Sequence, residues 1–558
     1  MVNESFNPGG HFPIPDKSSK PLLNLKIAPR MSIYLENEDH GSFLIDAAIS
    51  HYVGEPIHDP NNEFEGESLT SRARSRAMGL KRDLEAASAG TQLSIRLSIG
   101  DKALKIKGSE TIQLGKVAEV DFSFDDISAR NEPHKVTLRA ETKDGQKFST
   151  STELLRLPSK DKGTAVRIDN GYGGLDVRHF GKGSSDWKPI FPYSYYGVTI
   201  VQWDRYFDKS PDTLETFSKQ GYNLIHIVPT GELGQSPFPW DKVEKYLDKA
   251  ADLGLYLQYD VLYLEKGINE GLEEQVKRLR NHPSLLLWYI ADEPDGKSVV
   301  PDYLPKGYKK LRSLDLYHPV SMALNCEDFY YKEYASGADI IMSDVYPVST
   351  DTKHSNVYDT PCTETYGCCG CDNCEGHFED VSDRLDKLSR FDELIGWQKV
   401  HWNVPQAFGN ETFWTRFPTA AEVVVMTALG INHNAKGTVM WNFPTSDEIA
   451  HITDKLANVL TDDEVAEAVL KGDRHGDLKV QGAERIDAAV WSTGDNALAI
   501  VANLNHGNVD DVTVEMPSTI DAKAVSKTLW GNADWNVDGN KLRTSKLKGL
   551  GTSILWLR

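Results

Sequence analysis

The sequence has no excess of positive charge: its 558 residues carry 61 Lys and Arg against 82 Asp and Glu, a formal net charge of -21 at pH 7. A polyanion is repelled by such a balance and no basic stripe interrupts it, so nucleic acid is excluded as a partner. No apolar run approaches the length of a membrane span, so no membrane partner is expected. Cysteine is scarce outside one place: of 6 in all, Cys362, Cys368, Cys369, Cys371 and Cys374 crowd into a short stretch and Cys326 stands apart. An even number points to three disulfides and an oxidising, extracellular setting. Zinc is the competing reading, because Cys368, Cys371 and Cys374 repeat at metal-ligand spacing, although vicinal Cys368-Cys369 is not a usual zinc pattern. No leader follows Met1, and the expectation is a mature secreted chain restarted with an added methionine. Asn3-Glu4-Ser5 and Asn410-Glu411-Thr412 are sequons compatible with that setting.

What is present falls into three textures. Residues 1–187 read as a β-sandwich domain: Leu93, Ile95, Leu97 and Ile99 alternate with polar residues, Val136, Leu138 and Ala140 repeat the pattern, and Asp144-Gly145 supplies a hairpin turn. The Arg- and Ala-rich stretch from Ser68 to Ala87 fits no part of that pattern. Residues 188–466 alternate short apolar runs with amphipathic helices. The runs are Tyr195–Gln202, Leu224–Val228, Leu255–Val261, Leu285–Ile290, Val320–Leu324, Ile340–Val345, His401–Phe408 and Thr438–Phe443. Eight such alternations predict a closed (β/α)8 TIM barrel in preference to an open sheet. No Gly-rich phosphate loop follows the first run, so no nucleotide cofactor is implied, and none of another kind is. Residues 467–558 return to alternation at Ala488–Trp491, Ala497–Leu504 and Val512–Met516, the mark of a second β-sandwich.

The fourth run carries the chemistry. Leu285-Leu286-Leu287-Trp288-Tyr289-Ile290-Ala291 reads as a strand buried on both faces, and it ends in Asp292-Glu293-Pro294. Carboxylates at the C-terminal end of a barrel strand sit where barrel enzymes act, whereas one inside the strand would cost several kcal/mol, on the order of 2–7. Trp288-Tyr289-Ile290-Ala291-Asp292-Glu293-Pro294 resembles the strand-four signature of clan A glycoside hydrolases, in which an Asn-Glu-Pro-like tripeptide presents the acid/base glutamate. Asp344-Val345-Tyr346-Pro347 after strand six and Trp441-Asn442 at strand eight extend the resemblance in order. It implies a barrel hydrolase of O-glycosyl bonds with Glu293 as general acid and a carbohydrate as partner. Two departures stand out. Asp292 replaces the family's usual Asn, and Val404-Pro405-Gln406-Ala407-Phe408-Gly409 puts Gln406 where the family has its nucleophile glutamate.

An amide cannot attack an anomeric carbon as a carboxylate does, so the second catalytic function has to come from elsewhere. In an inverting scheme a base roughly 6.5–9.5 Å from the acid activates water. Asp344 is the best-placed candidate for it, with Asp260 and Glu232 in reserve. In a substrate-assisted scheme Asp292 orients an acetamido group, as in the similar Asp-Glu pair of hexosaminidases. In a third reading catalysis is lost and the chain is a carbohydrate-binding pseudoenzyme. A retaining enzyme with its nucleophile carboxylate elsewhere in the chain is the remaining reading, and Gln406 would then bind a sugar hydroxyl or hold the attacking water. Aromatic rings at the strand ends suit the apolar faces of sugars. Trp441 and Tyr346 are the leading contacts, followed by Trp203, Tyr259, Trp240 and Trp414, while His226 reads as a satisfied interior histidine.

Overall fold

The computed structural model describes residues 10–57, 92–181, 184–197, 210–227, 240–261, 271–363 and 369–558. The stretch from Ser68 to Ala87 lies outside them. The first unit is the expected sandwich of two sheets. One holds Leu22–Pro29 between His40–Ser50 and Glu55–Pro56, and the other holds His134–Glu141 between Gln92–Ile99 and Lys147–Leu154. Leu93, Ile95 and Leu97 are buried and Gln92, Ser94 and Arg96 exposed, as period-2 alternation requires. The hairpin turns at Asp144-Gly145, where Gly145 takes φ 88°, a left-handed conformation that glycine adopts without steric cost.

Residues 163–187, expected in this first domain, combine with residues 188–190 of the expected barrel in a sheet of their own. Gly163–Ile168, Leu175–Phe180 and Lys188–Ile190 form a small antiparallel sheet. Val166, Ile168, Leu175, Val177 and Ile190 from it join Leu287, Ile340, Val400, Trp402 and Val439 in one apolar cluster, closing the floor of the barrel.

The barrel is an eight-stranded parallel sheet. In chain order its strands are β1 (Tyr193–Tyr195), β2 (Leu224–Ile227), β3 (Tyr256–Asp260), β4 (Leu285–Asp292), β5 (Val320–Leu324), β6 (Ile340–Ser343), β7 (Val400–Asn403) and β8 (Thr438–Met440). The hydrogen-bonded order starts at β1, runs from β8 down to β2 and so returns toward β1, where Asn223 N–H donates to the Tyr193 carbonyl at 3.4 Å and the Ser194 hydroxyl to that of Leu224. A helix follows each strand: α1 (Leu214–Lys219), α2 (Trp240–Asp252), α3 (Leu272–Leu279), α4 (Tyr303–Leu314), α5 (Tyr331–Ala335), α6 (Glu379–Ile395), α7 (Ala420–Asn432) and α8 (Asp447–Leu460). Successive side chains of β4 serve two cores, Leu287 and Tyr289 inside the ring and Trp288 and Ile290 against the helices, which is why the run is apolar without a break.

Helix α7 is apolar nearly all round because it is covered on both sides, by the barrel and by the C-terminal sandwich. Thr419 and Glu422 form a capping box at its start, and Arg416 holds both Glu422 oxygens, at 2.7 and 2.9 Å. At its end His433 bridges Asp386 of α6, at 2.9 Å, and Asp487 of the sandwich, at 3.1 Å. The sandwich itself packs a five-stranded on a four-stranded sheet. Among the described residues no helix is long and apolar enough to cross a membrane.

Candidate active site

β4 delivers two carboxylates to the C-terminal mouth of the ring. Glu293 N–H still donates to the Ala323 carbonyl of β5 at 3.1 Å, but its own φ is 46°, left-handed for a residue with a Cβ, at a cost of about 1–2 kcal/mol. The chain therefore leaves the sheet at Glu293. Lys297 N–H closes the following loop on the Glu293 carbonyl at 3.0 Å, and the buried Asp295 side chain anchors it from within, accepting the N–H groups of Gly296, Asn325 and Cys326 at 2.9, 3.3 and 2.8 Å. Burial pushes the Asp295 carboxyl up to about 6; those N–H bonds oppose the shift and the neighbouring Glu293 adds to it.

The Glu293 side chain is one-quarter exposed, and its carboxyl shares a hydrogen bond with Asp344, the residue just past β6. Asp344 is buried, and no donor faces its Oδ1 among the described residues. Burial, then the charge of Glu293 and the hydrogen bond with it, then Asp295 and Asp292, hold the Asp344 carboxyl well above the usual carboxylate range. The Tyr346 hydroxyl faces the same carboxyl. An inverting pair needs a gap with room for a water, and here the Glu293 carboxyl is near enough to Asp344 to raise it.

Asp292 points to the other side of Glu293. Its Oδ1 accepts from the Tyr289 hydroxyl at 2.8 Å and its Oδ2 from Lys297 Nζ at 2.9 Å. Tyr289 belongs to an aromatic group under the mouth. Tyr196 stacks on His226 at 3.8 Å between ring centroids, with Trp441 at 4.5 Å and Tyr289 at 5.7 Å from Tyr196. The Tyr196 hydroxyl donates to Asp260 Oδ2, at the end of β3, at 3.4 Å. His226 is fully buried, and burial pushes its imidazole down to about 3 against the charge of Asp292 and a hydrogen bond with the Gly197 backbone, so it is neutral.

Of the residues singled out from sequence, Glu293, Asp292, Asp344, Tyr346, Asp260 and Trp441 gather at this mouth. Trp203 and Glu232 lie outside the described residues. Two others do not face it. Tyr259 is fully buried on the helix side of β3, where its hydroxyl donates to Gln275 of α3 at 2.8 Å. Tyr259 is one residue before Asp260, and strand alternation sends neighbours to opposite faces. Gln406 is also fully buried and its amide is spent on backbone: Oε1 accepts Val348 N–H at 3.0 Å, and Nε2 donates to the carbonyls of Val348 and Phe408 at 3.1 and 3.3 Å. Both expected substrate contacts are corrected. Trp240 lies at the start of α2 under the Arg278 guanidinium, and Trp414 packs edge-on against Tyr346 and Phe408. Sequence reasoning passed over Tyr196, Tyr289, Asp295 and Lys297. The first two looked like ordinary strand aromatics, and Pro294-Asp295-Gly296-Lys297 reads only as a turn.

The cysteine loop follows β6 and packs beside Trp414. Cys362 is bonded to Cys369 and Cys371 to Cys374. The metal-ligand spacing is thus taken up by disulfides. The expected third bridge is corrected, because Cys326 is a buried free thiol; Cys368 lies outside the described residues.

No protein-family model matches the chain, and no curated protein matches it. Among solved structures it is similar to an acarbose-soaked debranching enzyme of Nostoc punctiforme, at 12% identity over 62% of this chain and 88% of that one, with a TM-score of 0.42. It is similar also to a noncanonic maltogenic α-amylase of Thermotoga neapolitana, at 14% identity over 66% and 98%, TM-score 0.40. A glycosyl hydrolase family 2 member of Bacteroides cellulosilyticus shares 11% identity over 97% of this chain and 76% of its own, TM-score 0.32. Superpositions this loose assign the chain to no family, and the chemistry has to come from the residues of the site.

Proposed function

We propose that the chain is a secreted glycoside hydrolase in which Glu293 is the general acid and Asp344 supplies its proton. What supports this reading is the closeness of the two carboxyls at the barrel mouth, with Asp344 buried and Glu293 one-quarter exposed. Two carboxyls in contact do not both ionise until a positive centre faces them, so the free pair holds one proton, and it rests on the more buried member. A sugar stacked on Trp441 and Tyr346 excludes water and places its glycosidic oxygen at Glu293. The proton passes from Asp344 to Glu293 and on to that oxygen. The bond to the anomeric carbon breaks with its electron pair going to the leaving oxygen, and the pair, now doubly negative, faces the oxocarbenium-like centre together with Asp292. Water adds to the anomeric carbon and its proton returns to the pair, which restores the starting state. No metal or cofactor enters this scheme. Two disulfides in the loop after β6 favour the extracellular setting.

The test is a screen of oligosaccharides and polysaccharides with the purified protein, followed by Glu293→Gln on the substrate found. A general acid contributes about 10²–10⁴-fold, so kcat is expected to fall by at least that much. Undiminished turnover in the variant would sink the assignment. The carbohydrate-binding reading is favoured by one observation, the absence of a carboxylate at Gln406, and hydrolysis that disappears with Glu293→Gln excludes it.

A further inference from the structure

Lys297 sits four residues beyond Glu293 in the loop that leaves β4. Its ammonium donates to the Asp292 carbonyl at 2.6 Å and to Asp292 Oδ2 at 2.9 Å, and this brings it to 4.0 Å from Glu293 Oε2. Among the described residues no other cation forms an ion pair with Asp292 or Glu293, and none does so with Asp344. The other groups facing the carboxyl pair are acidic or neutral. They are Asp292 and Asp295 from the β4 end and its loop, Tyr346 after β6, the Cys326 thiol after β5, and Tyr196 after β1, which in turn touches Asp260 of β3. The two carboxyls therefore differ in one respect that a proton senses strongly: the Lys297 ammonium pairs with Glu293 at 4.0 Å and acts on Asp344 only from farther off.

We propose that Lys297 is a positioning residue that decides which carboxyl of the Glu293–Asp344 pair holds the shared proton, by fixing an ammonium nearer to Glu293 than to Asp344. This rests on the acid role proposed for the pair. An ammonium at this range favours the ionised form of the nearer carboxyl. The proton is thereby kept on Asp344, and the Glu293 carboxyl stays on the Lys297 side of the pair. A bound sugar that displaces water around Lys297 changes the balance and lets the proton move to Glu293. A merely structural Lys297, tying the loop to the Asp292 carbonyl, would have no such effect.

The experiment is a pH titration of the carboxyl-stretch infrared bands of the full chain without substrate, taking the difference between each protein and its Asp344→Asn counterpart to isolate the pair. In Lys297→Met the midpoint at which the pair loses its proton is expected to rise by about one pH unit, a tenfold change in proton affinity. Lys297→Arg, which keeps the cation, is expected to restore the original midpoint. Lys297→Gln keeps a donor to the Asp292 carbonyl without the charge and is expected to shift as Lys297→Met does, so a folding defect in one variant leaves the other to decide. An unmoved midpoint in a folded neutral variant, or Lys297→Arg shifted like Lys297→Met, would overturn the proposal. The titration needs no substrate, so its failure is distinct from failure of the hydrolase reading, which the glycan screen decides.

Discussion

Gln406 and Val348 hold each other by a reciprocal pair of hydrogen bonds, the amide oxygen on the Val348 N–H at 3.0 Å and the amide nitrogen on its carbonyl at 3.1 Å. The loops after β6 and β7 are thereby joined at their bases, next to Tyr346. A carboxylate at position 406 would keep the first bond and lose the second, and its other oxygen would be driven against the carbonyls of Val348 and Phe408 in a fully buried site. Gln406→Glu, which restores the residue type of the clan A nucleophile, is expected to lower stability by about 2–4 kcal/mol and to add no activity. Urea unfolding together with turnover measures both, and a stable, faster enzyme would show that position 406 does reach the substrate.

The Asp344 carboxyl, raised by burial and by Glu293, gives a pH dependence of definite sign. A buried acid with a raised folded-state pKa contributes stability that is complete below its unfolded value, about 3.9, and is lost as pH rises through the folded value. Asp344→Asn removes the ionisation. Its unfolding free energy is expected to decline less than that of the parent between pH 4 and the alkaline end, while hydrolysis is lost because the proton source is gone. Parallel stability profiles of the two proteins would mean that Asp344 ionises in the fold as freely as in the unfolded chain.

His433 behaves in the opposite chemical sense. Burial lowers its pKa, but hydrogen bonds to Asp386 and Asp487 outweigh that and raise it to about 10. The imidazolium then ties α6, α7 and the C-terminal sandwich together with a contribution that is complete below about pH 6.5 and lost as pH rises through about 10. His433→Ala is expected to cost about 1.5–3 kcal/mol near neutral pH, since hydrogen bonds to a charged group are at stake. Proteolysis should also cut more readily between barrel and sandwich. An unchanged melting curve would remove His433 from the domain interface.

Cys326 offers a chemical check on the cysteine loop. Its thiol is buried, and burial followed by the charges of Asp295 and Asp372 pushes its pKa well above the ordinary value. In the native protein Cys326 is expected to resist iodoacetamide, and in denaturant to react at once. Peptide mapping should recover Cys362 linked to Cys369 and Cys371 linked to Cys374. A peptide linking Cys326 to another cysteine would refute this arrangement.

The eightfold alternation, the two flanking sandwiches and the carboxylates at the end of β4 were all legible in the chain, because period and burial are local properties that each residue type registers by itself. Tyr259 shows where that stops: it is adjacent to Asp260, and only the phase of β3 within the ring sends one side chain toward α3 and the other under the mouth. Gln406 and residues 163–190 show the same limit, since their partners come from distant segments that no local pattern announces. The contact between Glu293 and Asp344 is the decisive case. Sequence placed a carboxylate at each of two strand ends, and the curvature of the ring together with the left-handed turn at Glu293 brought them within one hydrogen bond. Spacing along a chain carries no information about distance across a closed sheet, so the identity of the acidic residues belongs to the sequence and their closeness to the tertiary structure.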